Sequence, residues 1–209
     1  KEGIFRLTEV ERKKILEANK NMTLLSLRTL AFAYKEVKTF SKDNFEEDLI
    51  FIGLVGMEDP PREEVQDAIS RCQNAGIKVK MITGDNRETA RAIATEIGLY
   101  GKLMEGDDLD DLTDDELAKV IGSFSIFARV KPEHKLRIVR ILKLNGEIVT
   151  VTGDGVNDAP ALKEAHIGVA MGKSGTNVSC SVADLTLKDD NFSTIVLAIN
   201  EGRTIFKNI

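Results

Sequence analysis

Cysteine and histidine are nearly missing from this chain: 209 residues hold two of each. Cys72 and Cys180 stand far apart, with no metal-ligand spacing around either, so a disulfide framework and a cysteine metal site are both excluded. Reduced, structural thiols in a cytosolic setting remain. His134 and His166 are lone histidines and read as surface or packing residues. No apolar run approaches the ~18 residues of a membrane span; the best, Leu49 to Met57, is strand-length. A signal-peptide pattern, an internal repeat and a low-complexity linker are also missing. Acidic residues outnumber basic ones, for a formal charge of −5, and no dense Lys/Arg stripe is present. A nucleic-acid binder is therefore excluded. The chain opens on Lys1 instead of Met, which reads as a fragment or a processed piece.

What is there, 42% apolar and 30% charged residues, suits a globular chain with one real core and a second piece. Residues Glu9 to Asn19 have helical spacing, Leu24 to Tyr34 reads as a strand, and Phe40 to Glu47 as a loop. Leu49 to Met57 forms a strand that runs into Asp59-Pro60-Pro61, a rigid break and a natural domain hinge. A strand–helix alternation follows. Pro61 starts a helix with Val65, Ala68, Ile69 and Cys72 inward, stopped by Gly76. Ile77–Ile82, Ser125–Ala128, Ile148–Val151, Ile167–Met171 and Leu185–Leu187 read as strands. Arg87–Ile97, Asp114–Ile121 and Pro132–Leu144 read as helices. Met104-Glu105-Gly106 does not read as a strand, and the acidic run Asp107 to Glu116 reads as a solvated loop feeding a helix capped by Thr113 or Asp114. The pattern predicts an α/β fold, a Rossmann-like parallel sheet with helices on both faces.

Ligands bind such sheets beyond the carboxyl ends of the strands. Two similar loops, Thr83-Gly84-Asp85 and Thr152-Gly153-Asp154, sit at such ends. The second continues as Gly155-Val156-Asn157-Asp158-Ala159-Pro160-Ala161-Leu162. Clustered carboxylates after a buried strand, with glycines for tight turns, suit Mg²⁺ held beside a phosphoryl group. Two unit charges about 4 Å apart repel by about 4 kcal/mol at an effective dielectric of 20. A phosphate beside these carboxylates therefore needs cations. Asp154 is the best Mg²⁺ ligand, and Asp158 can bind directly or through a water. Lys135 supplies a flexible cation to phosphate oxygens. Thr83 Oγ1 and the Gly84 N–H can donate to the same oxygens, while Asn157 can bridge phosphate and metal.

The string from Thr152 to Leu162 closely resembles the hinge signature of P-type cation-transporting ATPases, whose phosphorylation domain is of the haloacid dehalogenase type. Met57-Glu58-Asp59-Pro60-Pro61-Arg62, Thr83-Gly84-Asp85-Asn86 and Phe127 to Lys135 match further blocks, in the family's order. Leu27 to Ala31, Ala165 to Gly175 and Asp189 to Ile195 also fit, so the likeness spans most of the chain. It implies Thr83, Gly84, Asp85, Arg129, Lys135 and Asn157 around bound ATP or phosphate, with Asp154 on Mg²⁺. Arg28 matches an arginine that contacts ATP phosphates. Asp59 and Arg62 match the hinge block, where ribose contacts or hinge control are expected. Asp85 and Arg129 could instead form a structural ion pair across the hinge.

The resemblance divides the chain into 1–56, the end of a partly α+β nucleotide-binding domain, and 57–209, a phosphorylation domain lacking its first strand. The family's nucleophilic Asp-Lys-Thr-Gly-Thr block is absent, and Asp108 and Asp110 do not replace it. A second departure is Val178 to Val182, where the family tends to be more charged. Glu201 to Phe206 resembles the approach to a stalk helix. The implied function is the cytoplasmic catalytic part of an ATP-driven, membrane-embedded cation pump. Its partners would be ATP, the transported cation, and the actuator and membrane domains of the same pump, with the aspartate that ATP phosphorylates outside this chain. The motif texture is closer to the calcium and sodium/potassium branches than to the heavy-metal branch, with calcium first. Alternatives are a soluble haloacid dehalogenase-type phosphatase and a nucleotide-sensing module without turnover.

Overall fold

The computed structural model describes residues 3–25, 27–37, 46–57 and 61–209. Asp59 and most of the loop expected over Phe40–Glu47 lie outside them. The backbone divides into two compact units, Lys1–Pro60 and Pro61–Ile209.

The first unit opens with helix α1 (Glu9–Leu24). Thr8 caps it: the Glu11 N–H donates to the Thr8 hydroxyl at 3.3 Å, and the Thr8 N–H donates to the Glu11 carboxylate at 2.8 Å. Two otherwise orphaned donors are thereby satisfied. The helix passes the expected end at Asn19, because adding a good helix former such as Leu24 to an existing helix costs little. Strand β1 (Arg28–Tyr34) pairs antiparallel with β2 (Ile50–Met57), Arg28 opposite Met57 and Tyr34 opposite Ile50. No described residue of α1 is buried, and Phe32, Tyr34, Ile52 and Val55 of the hairpin are exposed.

The second unit alternates as the sequence predicts. Its elements are α2 (Glu64–Asn74), β3 (Met81–Ile82), α3 (Arg87–Glu96), β4 (Lys102–Glu105), α4 (Gly106–Asp111), α5 (Asp114–Val120) and β5 (Phe124–Ala128). After these come α6 (Pro132–Leu144), β6 (Thr150–Gly153), α7 (Ala159–Glu164), β7 (Ile167–Met171), α8 (Asn177–Val182), β8 (Leu185–Leu187) and α9 (Phe192–Lys207). The strands pair in parallel, in the orders β3-β5-β4 and β6-β7-β8. Successive residues of a strand point to opposite faces. Met104 and Phe127 accordingly join Ile138, Val139, Ile141 and Leu142 of α6 in one core cluster. Their neighbours Leu103, Ile126 and Ala128 face the other way, onto Ile69 of α2 and Ala90 and Ala94 of α3. Helix α9 sets Ile195 against Val169 and Leu187, and Val196 against Ala68 and Cys72. Helices thus cover both faces of an α/β unit with parallel sheets.

Four local expectations are corrected. Lys102–Glu105 is a strand, because β5 offers it a parallel partner and pairing outweighs a weak local signal. Residues 107–111 are helical instead of loop, with the Asp108 carboxylate accepting the Glu105 N–H at 2.9 Å to start the turn. The ladder of β3 covers only Met81 and Ile82 of the expected Ile77–Ile82, and β6 starts at Thr150 instead of Ile148. Thr113 caps α5 as expected.

Strands β3 and β6 each end a sheet. Their partly buried Ile82 and Val151 nevertheless pack against one core cluster. Where the two edges begin, Lys78 Nζ donates to Glu147 at 2.7 Å. The two sheets therefore turn open edges toward each other, with their carboxyl ends on one rim.

Candidate functional site

The rim is built from the loops after β3, β5 and β6. After β3, Thr83 continues the ladder, its N–H donating to the Phe127 carbonyl at 2.9 Å. Its hydroxyl then donates to Asp85 Oδ2 at 2.7 Å, and the Asp85 N–H donates back to that hydroxyl at 3.1 Å. The loop after β5 locks onto this turn. The Arg129 N–H donates to the Asp85 carbonyl at 2.7 Å, and the Val130 N–H to the Thr83 carbonyl at 3.0 Å. Arg129 takes a left-handed φ of 50° to do so, which is costly for a residue with a Cβ. Its guanidinium faces Glu105, with Nε 3.8 Å from Oε1, so no Asp85–Arg129 ion pair forms. Arg87 donates from its own Nε to Oε2 of the same Glu105 at 2.8 Å.

Six residues after Arg129, Lys135 reaches the third loop from the first turns of α6, its Nζ donating to Asp158 Oδ1 at 2.6 Å. The other oxygen, Oδ2, accepts the N–H groups of Asp154 at 3.3 Å and Gly155 at 3.1 Å. Asp158 is thus a clasp that closes the turn after β6, and Gly153 is required beneath it. A Cβ at Gly153 would stand 2.5 Å from Asp158 Cβ. The carbonyl of Asp154 accepts from the Thr176 N–H at 2.8 Å and from Ser179 Oγ at 3.0 Å. Its backbone is therefore fixed, while its carboxylate is exposed and meets no hydrogen-bond or ion-pair partner among the described residues. Asn157 lies exposed in the one-turn 3-10 segment beside it.

Thr83, Asp85 and Arg129 form one wired group, Lys135 and Asp158 another, and the segment from Arg129 to Lys135 joins them. Gly84 is exposed at the tip of its turn. Arg28 opens β1 in the other unit and is exposed there. Arg62 donates from Nη1 to the Asp190 carbonyl at 2.6 Å. The Asp190 carboxylate in turn accepts the Lys173 N–H at 2.9 Å and the Ser174 N–H at 2.7 Å. These bonds, the Lys173 N–H first, hold that carboxyl at about 2, below its ordinary 3.8. Sequence reading missed Glu105, Arg87 and Asp190. Glu105 lies in the segment not read as a strand, Arg87 reads only as the start of a helix, and Asp190 needs a left-handed φ of 55° that no letter announces. His134 is a packing residue as expected, buried with Nε2 2.7 Å from Asp110 Oδ1.

A divalent cation fits this rim. Among the described residues no group of three or more His, Cys, Asp or Glu could cage an ion. Mg²⁺ takes one or two carboxylates and completes its shell with waters and phosphate oxygens. Asp154 offers one uncommitted carboxylate on a fixed backbone, and Asn157 an amide nearby. Both Asp158 oxygens are already engaged.

Residues 6–166 match the haloacid dehalogenase-like hydrolase family. The chain is 53% identical to Calcium-transporting ATPase 1 of Bacillus cereus over 97% of its own length and 23% of that protein's. It is 50% identical to Calcium-transporting ATPase of Bacillus subtilis, over its whole length and 24% of the relative's. With Calcium-transporting ATPase 1 of Saccharomyces cerevisiae it shares 46% identity, over 98% of this chain and 22% of that one. The chain therefore spans about a quarter of the length of these relatives. With strands, helices and rim in place, the chain belongs to the haloacid dehalogenase-like hydrolase family.

Proposed function

We propose that the rim is the Mg²⁺- and phosphate-handling part of an ATP-driven cation pump of the P type, with calcium as the transported ion. In this reading the pump is membrane-embedded and the present segment lies on the cytoplasmic side. Residues 1–56 are the end of a nucleotide-binding domain and 57–209 most of a phosphorylation domain. One observation carries the reading: two parallel sheets turn open edges, β3 and β6, toward each other beside a shared core. A single parallel strand between them would join the sheets and deliver its carboxyl end to the middle of the rim. An aspartate ending that strand, outside this chain, is the group that ATP phosphorylates. The likeness to calcium-transporting ATPases supports both the reaction and the ion.

The roles follow from charge and wiring. Phosphoryl transfer depends mainly on positioning and on neutralising charge. Asp154 holds Mg²⁺, which when bound offsets charge on the phosphate oxygens. Lys135 supplies a fixed positive charge beside the same oxygens. Asp158 acts on the loop instead of the ion, keeping Lys135 and the Asp154 backbone in register. The Thr83 hydroxyl and the Gly84 N–H donate to the phosphoryl group, with Asp85 orienting that hydroxyl through its 2.7 Å bond. Arg129 and Asn157 contact the nucleotide at the rim; for Arg28 the role stays the one that the resemblance implies, an arginine for ATP phosphates. Asp59 and Arg62 keep the roles that the resemblance implies, ribose contacts or hinge control, and Arg62 is tied to Asp190 within the second unit.

The test is acid-quenched labelling of the longer polypeptide with γ-phosphate-labelled ATP, Mg²⁺ and Ca²⁺. A hydroxylamine-labile phosphoprotein that needs Ca²⁺ and is lost in Asp154→Asn is expected. ATP binding without any adduct, whatever the cation, would replace the pump by a sensing module. Adducts from small phosphate esters alone would replace it by a phosphatase.

A further inference from the structure

We propose that Glu105 is a positioning residue that presents Arg87 and Arg129 as a two-armed anion contact at the rim; the proposal rests on the reading that the rim receives the phosphates of Mg-ATP. Glu105 ends β4, the strand that sequence reading had missed, so its side chain leaves the sheet at the carboxyl end shared by β3 and β5. The carboxylate is three-quarters buried, with a side-chain exposure of 24%. It meets one arginine on each oxygen: Arg87 Nε at 2.8 Å on Oε2 and Arg129 Nε at 3.8 Å on Oε1.

The atoms engaged matter more than the pairing. A guanidinium has five donors in a planar fork, and two parallel N–H bonds from it recognise a phosphate. Each arginine turns its Nε toward Glu105. No other protein hydrogen bond engages the terminal nitrogens of either one among the described residues. Both side chains are substantially solvent-exposed, Arg87 at 44% and Arg129 at 60%. The carboxylate therefore gathers two positive groups, cancels one of their charges, and leaves both terminal forks free.

The arginines also spring from one place. Arg87 lies two residues beyond Asp85, and the Arg129 N–H is bonded to the Asp85 carbonyl. The backbone under Arg129 has little freedom. It is held left-handed, and a Cβ on the neighbouring Gly106 would stand 2.3 Å from the Arg129 carbonyl oxygen. With the main chain fixed, the ion pair from Nε to Glu105 at 3.8 Å is what biases the orientation of the side chain among the described residues. Two long cations left to wander would each lose rotamer freedom when an anion arrived; holding them beforehand removes part of that loss.

The experiment is a titration of the longer polypeptide with Mg-ATP and, separately, inorganic phosphate, comparing Glu105→Gln, Arg87→Ala, their double variant and Arg129→Ala. Glu105→Gln keeps the shape and removes the charge that holds the two Nε groups. Its Kd for Mg-ATP should rise about threefold, in the range of partly exposed ion pairs, with the unfolding midpoint little changed. Arg87→Ala should weaken binding by a similar factor. The double variant should lose less than the product of the two single losses, because with Arg87 gone only the hold on Arg129 is left for Glu105→Gln to remove. Unchanged or tighter binding in Glu105→Gln, or additive losses in the double variant, would overturn the proposal while a loss in Arg129→Ala kept the rim reading. If Arg129→Ala also bound Mg-ATP as before, the rim reading itself would fall.

Discussion

Thr83-Gly84-Asp85 and Thr152-Gly153-Asp154 carry the same three residues to the carboxyl ends of β3 and β6, yet their wiring is opposite. In the first, the aspartate closes its own turn: Asp85 takes the Thr83 hydroxyl and gives its carbonyl to Arg129. In the second, closure is left to Asp158, four residues on, which accepts from Asp154 and Gly155 and from Lys135. That delegation frees the Asp154 carboxylate while its backbone stays fixed. A carboxylate cannot both clasp its own loop and be fully available to an ion. The chain solves this by supplying a second carboxylate at the loop that needs one.

The largest difference between the loops should appear at their glycines. Gly153 has Asp158 Cβ and Cγ at 2.5 and 2.8 Å from where a methyl would go, whereas Gly84 has only the Val130 carbonyl oxygen, at 3.9 Å. Gly153→Ala should cost about 3 kcal/mol, the upper part of the range for overpacking, because the clasp must shift. Gly84→Ala should stay within about 0.5 kcal/mol of the parent, as at an uncrowded surface position. Urea unfolding of the two variants checks this. Equal losses would mean that the clasp does not distinguish the loops.

A smaller contrast separates the groups that close each turn. Lys135→Met strips Asp158 of its cation in a nearly buried setting, with the lysine 24% and the aspartate 12% exposed. The charge left behind should cost about 2 kcal/mol, less than for a fully buried pair because water can reach the site. Thr83→Val removes two hydrogen bonds, one donated and one accepted, from a half-exposed turn where water can replace them, and should cost about 1 kcal/mol. Denaturation midpoints that reversed this order would show that the 83–85 turn, not the Asp158 clasp, holds the rim together.

How much of this was legible in the sequence differs by level. The α/β alternation was readable because Val65, Ala68, Ile69 and Cys72 repeat at helical spacing and Ile167–Met171 is a short apolar run. The strand Lys102–Glu105 was not, since its only support is a parallel partner that lies later in the chain. The letters around Asp154 and Lys135 announced charge handling, and the structure brings Lys135 and Asp158 together. They did not announce which aspartate would be committed. The sequence ranks Asp154 first as a metal ligand and leaves Asp158 as a direct or water-mediated one; only the turn geometry sends two N–H groups to Asp158. Arg62 shows the same limit: its partner is a backbone carbonyl 128 residues away.

The smallest expected effect extends the comparison to a third carboxylate. Asp190 clasps the turn after β7 as Asp158 clasps the turn after β6, each accepting two consecutive N–H groups. Among the described residues Asp190 has no lysine partner, so its contribution should respond to pH through its own titration. Its folded carboxyl is held at about 2 against an ordinary 3.8. The folded state therefore prefers the ionised form, and the stabilisation is fully present above about pH 4. It fades as the pH falls through 3.8 and is gone below about 2, where both states carry the proton. Asp190→Asn, which keeps the size and loses the charge, should be less stable than the parent at pH 6. The gap should shrink steadily between about pH 4 and pH 2. A gap that stayed constant over that interval would mean that the amide loses shape instead of charge. The clasp would then be steric, and the parallel with Asp158 would be one of position and not of electrostatics.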